Sequence, residues 1–327
     1  MPSETVIRGS TSGNYINLPN GFLDVFAQEV LFAAQPALYF ESIAVKRTEL
    51  MTTPGSVIKF LKYSPLSGSP TIAETAATTT KSLSTSTVSI TVSEQIQSVR
   101  MSEMAIKTSI LNIMGDTAQQ LGRHYAKYGR DALIRNALLA GTNVLYSQKG
   151  GAATSRANLV TGSTFDLNLI RDAAETLATN KAPKFNGDAY VCFVHPAQGR
   201  DLRADAAWIN VADYAAPSNM LNGEIGRIED VRFVQTTMVT KIKINTQDIW
   251  ADGEDTTDNT AIAANAATDV YQSIIVGDYA VGIADALPVE MRDNGVEDHG
   301  RFHSLAYYGI WGAGIIESGH SVILETA

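Results

Sequence analysis

The stretch AYVCFVHPAQGRDLRADAAWI, residues 189–209, followed by GEIGRIEDVRFV, residues 223–234, decides the reading of this chain. Ala189 to Val194 is a continuous apolar run of strand length, the pattern of a strand buried on both faces. His195-Pro196 stops it and starts a helix, because proline is tolerated only in a helix's first turn. That helix carries Asp201 to Trp208. In the second segment Gly223 and Gly226 let the backbone turn sharply before a strand. Its apolar residues alternate at Ile228 (or Val231), Phe233 and Val234, with one slip of register.

Composition sets the outer bounds. A chain of 327 residues with 45% hydrophobic content holds one large core or two modest ones and excludes wholesale disorder. The net charge of -9 argues against a chain-wide affinity for nucleic acid, which needs clustered Lys and Arg to displace counterions. The single cysteine, Cys192, sits inside the buried-strand pattern and reads as a small core hydrophobe. Met1 to Thr5 show neither the charged nor the apolar region of a signal peptide. No apolar run reaches the roughly 18 residues of a membrane span. The expectation is a cytoplasmically made, soluble chain with no membrane partner.

The region from Thr48 to Val99 is the most informative on physical grounds alone. Ser56 to Tyr63 reads as one strand, and Thr87 to Ser93 as another in which Val88, Ile90 and Val92 alternate with hydroxyls. Between them lie residues rich in Ser, Thr and Ala. A two-stranded hairpin is marginal alone in water, and so long a connection inside a compact domain is usually functional. Together they point to a projecting arm that finds its stability on another molecule. The competing reading is a surface loop between two ordinary core strands. From Ser102 the period turns helical. One helix is expected over Glu103 to Met114, ending at Gly115. A second starts at a capping box formed by Asp116 and Gln119 and closes at Gly141. Its seam is Ala118, Leu121, Tyr125, Tyr128 and Ala132, with Arg123, Lys127, Arg130 and Arg135 mostly on other faces. The rod is roughly 35 to 40 Å long. Residues 146–163 read as a loop with Lys149 and Arg156 exposed. Asp166 caps a further helix, with Leu167, Ile170, Ala174 and Leu177 on one face and Pro183 as its end. Residues 1–20 read as a flexible arm, followed by a short helix with Phe22, Phe26 and Val30 on its packing face.

Beyond Val234 the sequence predicts a short strand at Lys241 to Ile244 and an acidic loop from Asp252 to Asp258. That loop lacks the ligand order of a calcium-binding loop, so a solvated surface is the expectation. Strand, turn and strand follow over residues 270–283. A returning strand spans Leu305 to Ile316, and a last one covers Val322 to Leu324. The search for catalytic or cofactor chemistry is thin. His299 and His303 lie four apart near Glu297, but among strand signals and glycines rather than on a helix face. Elbow, Cys-x-x-Cys and dinucleotide motifs are absent. No catalytic, cofactor or metal residue is assigned, and an oligomeric hydrolase stays only as a remote alternative.

The pairing of HPAQGRDLRADAAWI with GEIGRIEDVRFV, supported by VYQSIIVGDYAVGIAD at 270–285, resembles the major capsid proteins of tailed phages with the Hong Kong 97-type shell fold, closest to the branch of the N4-like coat proteins. The resemblance implies an α+β shell subunit. Its parts would be an N-terminal arm over 1–47, an extended hairpin loop over 48–100, a peripheral domain with a long spine helix over 101–187, an axial domain over 188–285, and returning strands over 286–327. It implies a structural coat protein that assembles through pentamers and hexamers into an icosahedral head enclosing double-stranded DNA, made in the bacterial host cytoplasm and resident in the virion. Its partners would be copies of itself, with scaffolding, portal and decoration proteins. An encapsulin-type nanocompartment shell is the alternative on the same fold. The expected inter-subunit contacts are Lys59, Phe60, Tyr63, Val88, Ile90 and Val92 on the hairpin and Gly223, Gly226 and Arg227 in the axial stretch. Some family members cross-link a hairpin lysine to a neighbour. Lys59, Lys62 and Lys81 are present here, but no surrounding constellation would drive that chemistry, and no crosslink is expected.

Overall fold

A computed structural model describes residues 39–63, 66, 80–109, 113–204, 224–228, 230–244, 249–251, 254–256 and 268–327. The expected N-terminal arm and its helix, the helical stretch at Asp205 to Trp208, and Gly223 lie outside these residues. A 3-10 turn, Phe40–Ile43, leads into β1 (Val45–Arg47). Next come β2 (Val57–Tyr63) and β3 (Thr85–Thr91), which form the expected hairpin, with Val57 opposite Thr91 and Tyr63 opposite Thr85. One residue later starts β4 (Ser93–Ser102), which belongs to a different sheet.

Ser102 caps α1 (Glu103–Thr108), its hydroxyl accepting from the Ala105 amide at 3.2 Å. This helix stops at Thr108, and α2 (Ile113–His124) begins ahead of Gly115. The expected break at Gly115 and capping box at Asp116 are therefore corrected. A glycine costs a helix only about 1 kcal/mol, too little to stop one held by buried Leu121 and Thr117. Asp116 sits in the first turn, where the helix dipole favours an anion. The rod continues through a π turn, Tyr125–Asp131, into α3 (Ala132–Leu139).

After β5 (Val144–Tyr146) comes α4 (Leu167–Thr179), capped as expected by Asp166. Its end is set by Lys181 at φ 57, with the Ala182 amide donating back to Leu177 O, before Pro183 is reached. Strand β6 (Tyr190–Val194) leads into α5 (Pro196–Arg203), where His195 and Gln198 form a capping box. Sequence suggests one strand after Gly226; the structure has two, β7 (Glu224–Ile228) and β8 (Val231–Gln235), paired as a hairpin. A register shift does occur, but between Glu224 and Gly226 and not in the alternation expected over Ile228 to Val234, so Gly226 serves a bulge inside β7 rather than a turn before it. The chain ends with β9 (Thr240–Ile242), β10 (Ile249–Ala251), β11 (Glu254–Thr256), β12 (Val270–Val276), β13 (Val281–Glu297), β14 (Phe302–Ile315) and β15 (Ser321–Thr326).

Strands sort into three sheets. The hairpin is one. A second runs β1-β13-β14-β4, and the third gathers β5 to β12 without a member of the second, together with β15. At the centre of the third sheet, β12 pairs along one edge with β15 and along the other with both β6 and β9. It is buried on both faces, hence the unbroken apolar run at Ile274 to Val276. Strand β13 spans position 285, with a shift of register between Asp285 and Leu287. Helix α4 covers one face of the large sheet through Leu169, Ile170, Ala173 and Leu177. Arg156, expected to be exposed, instead bonds Glu325, whose side chain is fully buried and also accepts from Gln272 at 2.8 Å.

The long helix ties the two larger sheets together. Its first half packs Leu121 and Tyr125 on Tyr307 and Trp311 of β14. Its last half packs Ile134 and Leu138, with Phe40, against Phe193, Ile274, Val276, Val281 and Ile283. The changeover is the π turn, which buries Gly129, Arg130 and Asp131. Arg130 and Arg135, expected on polar faces, are 5% and 4% exposed. Arg130 bonds both oxygens of Asp285, at 2.5 and 3.0 Å, and reaches Glu41 at 3.2 Å. Asp131 accepts the amides of Tyr39 at 2.8 Å and Glu41 at 3.3 Å, capping the 3-10 turn from another element. Arg135 donates to the Met238 carbonyl at 3.0 Å. Burial pushes the Asp131 carboxyl up to about 6, against its amide partners.

Two outcomes follow from this junction. Asp285→Ala leaves Arg130 buried with Glu41 alone and should cost about 3–5 kcal/mol in urea unfolding, whereas Arg130→Met with Asp285→Leu should cost far less. For Asp131 the folded carboxyl titrates above its ordinary 3.8, so its contribution to stability is complete below pH ~4 and is lost as pH rises through about 6. Two units correspond to about 3 kcal/mol. Asp131→Asn should therefore gain on the wild type between pH 4 and 7, read as the difference between their unfolding midpoints; a flat difference would contradict it.

Candidate inter-subunit surfaces

The period-2 alternation of the hairpin divides its residues between two faces. On the inner face Ile58, Phe60 and Ile90 are buried, and they pack with Ala284 and Ile316 and the partly buried Val88 and Val92. Of the expected contacts, Phe60, Val88, Ile90 and Val92 therefore face their own chain. This corrects their assignment as inter-subunit candidates: the hairpin is seated intramolecularly, through an apolar face that needed cover and finds it on β13 and β14. On the outer face stand Val57, Lys59, Leu61 and Tyr63, opposite Thr91, Ser89, Thr87 and Thr85. Leu61 is 53% and Tyr63 61% exposed. The structure thus leaves Lys59 and Tyr63 available and adds Val57 and Leu61, which sequence reading passed over. The signal was present: they are the odd members of the same alternation. Lys62 is ion-paired with Glu317.

In the axial stretch Gly226 is buried opposite Phe233 and offers no outward surface, which corrects its candidacy. Gly223 lies outside the described residues. Arg227 is partly exposed and bonds Asp188 at 2.7 Å; Arg232 bonds the same carboxylate at 2.8 Å. Asp230 stands 3.7 Å from Arg227 and pairs with Lys184 at 2.5 Å. Hydrogen bonds from Arg227 and then Arg232 hold the Asp188 carboxyl below its ordinary range. This is a small cationic cluster on the hairpin of β7 and β8, already braced within the chain.

The remaining candidates take structural places. His299 sits at φ 55 in the turn joining β13 to β14, and His303 lies in β14 opposite Met101. Among the described residues no group of three His, Cys, Asp or Glu could hold a metal ion. Within the acidic loop, the backbone at Glu254 to Thr256 forms β11, and the residues around it lie outside the description. Cys192 is fully buried, and burial pushes its thiol well above the ordinary range. No helix among the described residues is long and apolar enough to cross a membrane.

Comparisons with known proteins bear on this arrangement. The family model described as phage capsid protein matches residues 35–301. The fold is similar to the capsid of Ralstonia phage GP4, with a TM-score of 0.70 and 18% identity over 97% of this chain and 98% of that one. It is also similar to the capsid of cyanophage P-SCSP1u, TM-score 0.65 and 20% identity over 94% and 93%. A third likeness is to the capsid of Helicobacter pylori bacteriophage KHP30, TM-score 0.66 and 14% identity over 92% and 94%. No curated protein sequence matches. The architecture is the α+β Hong Kong 97-type capsid fold. The chain belongs to the phage capsid protein family and is a structural protein of the virion shell.

Proposed function

We propose that this chain is the major capsid protein of a tailed phage, tiling through pentamers and hexamers into an icosahedral head around double-stranded DNA. The observation that carries this reading is the match of the family model over residues 35–301. In this reading the four-stranded sheet with the long helix is the peripheral domain and the large sheet is the axial domain. The role asks no catalysis and no cofactor of the chain. Scaffolding, portal and decoration proteins would be its further partners, and assembly would take place in the host cytoplasm. The encapsulin and hydrolase alternatives have no finding in their favour.

The contact that joins copies is assigned to the outer face of the hairpin, at Val57, Lys59, Leu61 and Tyr63. A half-exposed leucine and tyrosine on a two-stranded arm gain roughly 1 kcal/mol each when a neighbour covers them. Repetition over every subunit turns that gain into the stability of a lattice. Arg227 is a second candidate, at the rim of the axial domain.

Electron microscopy and sedimentation of the purified recombinant chain test the reading. The expected products are closed shells, or rings of five and six. Leu61→Asp with Tyr63→Asp should abolish them while leaving the unassembled chain folded, because both side chains face solvent. A wild-type chain that stays a compact monomer or dimer at high concentration and with crowding agents would overturn self-assembly.

A further inference from the structure

The hairpin joins the four-stranded sheet through a corner of one residue. Strand β3 ends at Thr91, β4 starts at Ser93, and Val92 between them donates its amide to the Ser56 carbonyl at 3.0 Å. Beneath this corner the two return strands bring Gly282 and Gly314 into register, with Gly312 two residues away. A Cβ on Gly312 would lie 2.2 Å from the Thr91 carbonyl oxygen. One on Gly314 would lie 3.0 Å from Ile90 Cγ1, and one on Gly282 would lie 2.9 Å from Phe60 Cζ. Positive φ occurs at none of these three, so they are needed for room and not for an unusual backbone. The inner face of the hairpin thus lies close over these glycines, beside the side chains of Ala284 and Ile316, and the Lys62–Glu317 ion pair fastens the same face further out.

We infer that Gly282, Gly312 and Gly314 are positioning residues that set the elevation of the arm above its sheet and, through it, the curvature of the assembled shell. This rests on the reading that the arm's outer face clasps a second copy. Ile58 and Phe60 are spaced roughly 7 Å apart along the strand, so lifting one end of the seat by about 1 Å tilts the hairpin by about 8°. Tyr63 lies roughly 10 Å further out, and the displacement produced by the tilt grows with that distance. A head-to-tail contact closes only if its rotation is right at every repeat; a changed angle gives other sizes or open assemblies.

The test compares Gly312→Ala, Gly314→Ala and the pair Gly314→Ala with Ile90→Ala. That pair removes the γ carbon and leaves the Ile90 β carbon, 3.8 Å from the new methyl. Thermal unfolding and near-ultraviolet circular dichroism of the unassembled chains are measured beside the diameters of their assemblies. The expected result is a folded chain in each case. Gly312→Ala and Gly314→Ala should give shells of altered diameter or open sheets, and Ile90→Ala should return the Gly314→Ala variant toward the native diameter. Native-diameter shells from both single variants overturn the inference. So does failure of both to fold, since the glycines would then serve folding and not angle. The Leu61→Asp, Tyr63→Asp variant separates the two levels. If it assembles normally, the clasp reading fails and the seat inference with it. If it does not assemble while the glycine variants build native shells, only the seat inference fails.

Discussion

Three consecutive residues in the π turn of the long helix each hold a different part of the molecule. The Gly129 carbonyl accepts the Trp311 indole N–H at 2.8 Å, fixing β14. Arg130 takes Asp285 of β13 and Glu41, and Asp131 takes the amides at the start of the 3-10 turn. An α-helix turns about 100° per residue and would spread three successive side chains over half its circumference. The wider π turn lets Gly129, Arg130 and Asp131 all be buried. The Ala132 amide closes it by donating to Lys127 O, five residues back. Without it, one straight rod would have to present a single stripe to two sheets that meet it differently.

This junction also explains why charge is tolerated inside. Arg130 balances two carboxylates with good geometry, so its burial is compensated. Asp131 is different, because its hydrogen-bonding partners are backbone amides and Glu41 lies nearby with the same sign. Glu41 itself is drawn below its ordinary range: burial raises it, but Lys46 and Arg130 more than offset that. The carboxylates thus divide their roles, Glu41 and Asp285 neutralising Arg130 while Asp131 replaces the missing local cap of the 3-10 turn.

How far the sequence reveals this depends on whether a residue's environment is local. Hairpin alternation was legible because one face is buried and the other is not, and the run at 190–194 because its strand is central. The Asp166 cap was legible because its partner lies three positions away, and the start of α5 because Pro196 marks a first turn; the capping box of His195 and Gln198 was not read. The burial of Arg130 and Arg135 was not, since charged side chains are surface residues by default, the π turn that carries Arg130 inward leaves no pattern, and the Met238 carbonyl that receives Arg135 lies 103 positions away. The extent of β13 was less legible: the sequence marks a strand only to Ile283, with returning strands expected over 286–327, whereas one strand runs from Val281 to Glu297 and takes in Pro288 through register shifts at 285/287 and 287/290. Of the nine expected contacts, the faces of the hairpin could be separated only once the sheet beneath it was known.

A shell subunit faces a constraint that an ordinary domain does not: it must fold before its neighbours arrive, yet keep surface in reserve for them. A free two-stranded arm would be marginal while waiting. Here the arm is stabilised at home, by Ile58, Phe60 and Ile90 packed beside Ala284 and Ile316. The side chains left out, Val57, Leu61 and Tyr63, are too apolar to be indifferent to cover. Seat and grip therefore occupy opposite faces of the same two strands. Because the strands alternate, each residue belongs to one face only, so the angle of the arm and the strength of its hold can vary independently. On the proposed reading, substitution on the inner face would alter where the arm points, and substitution on the outer face how firmly it binds.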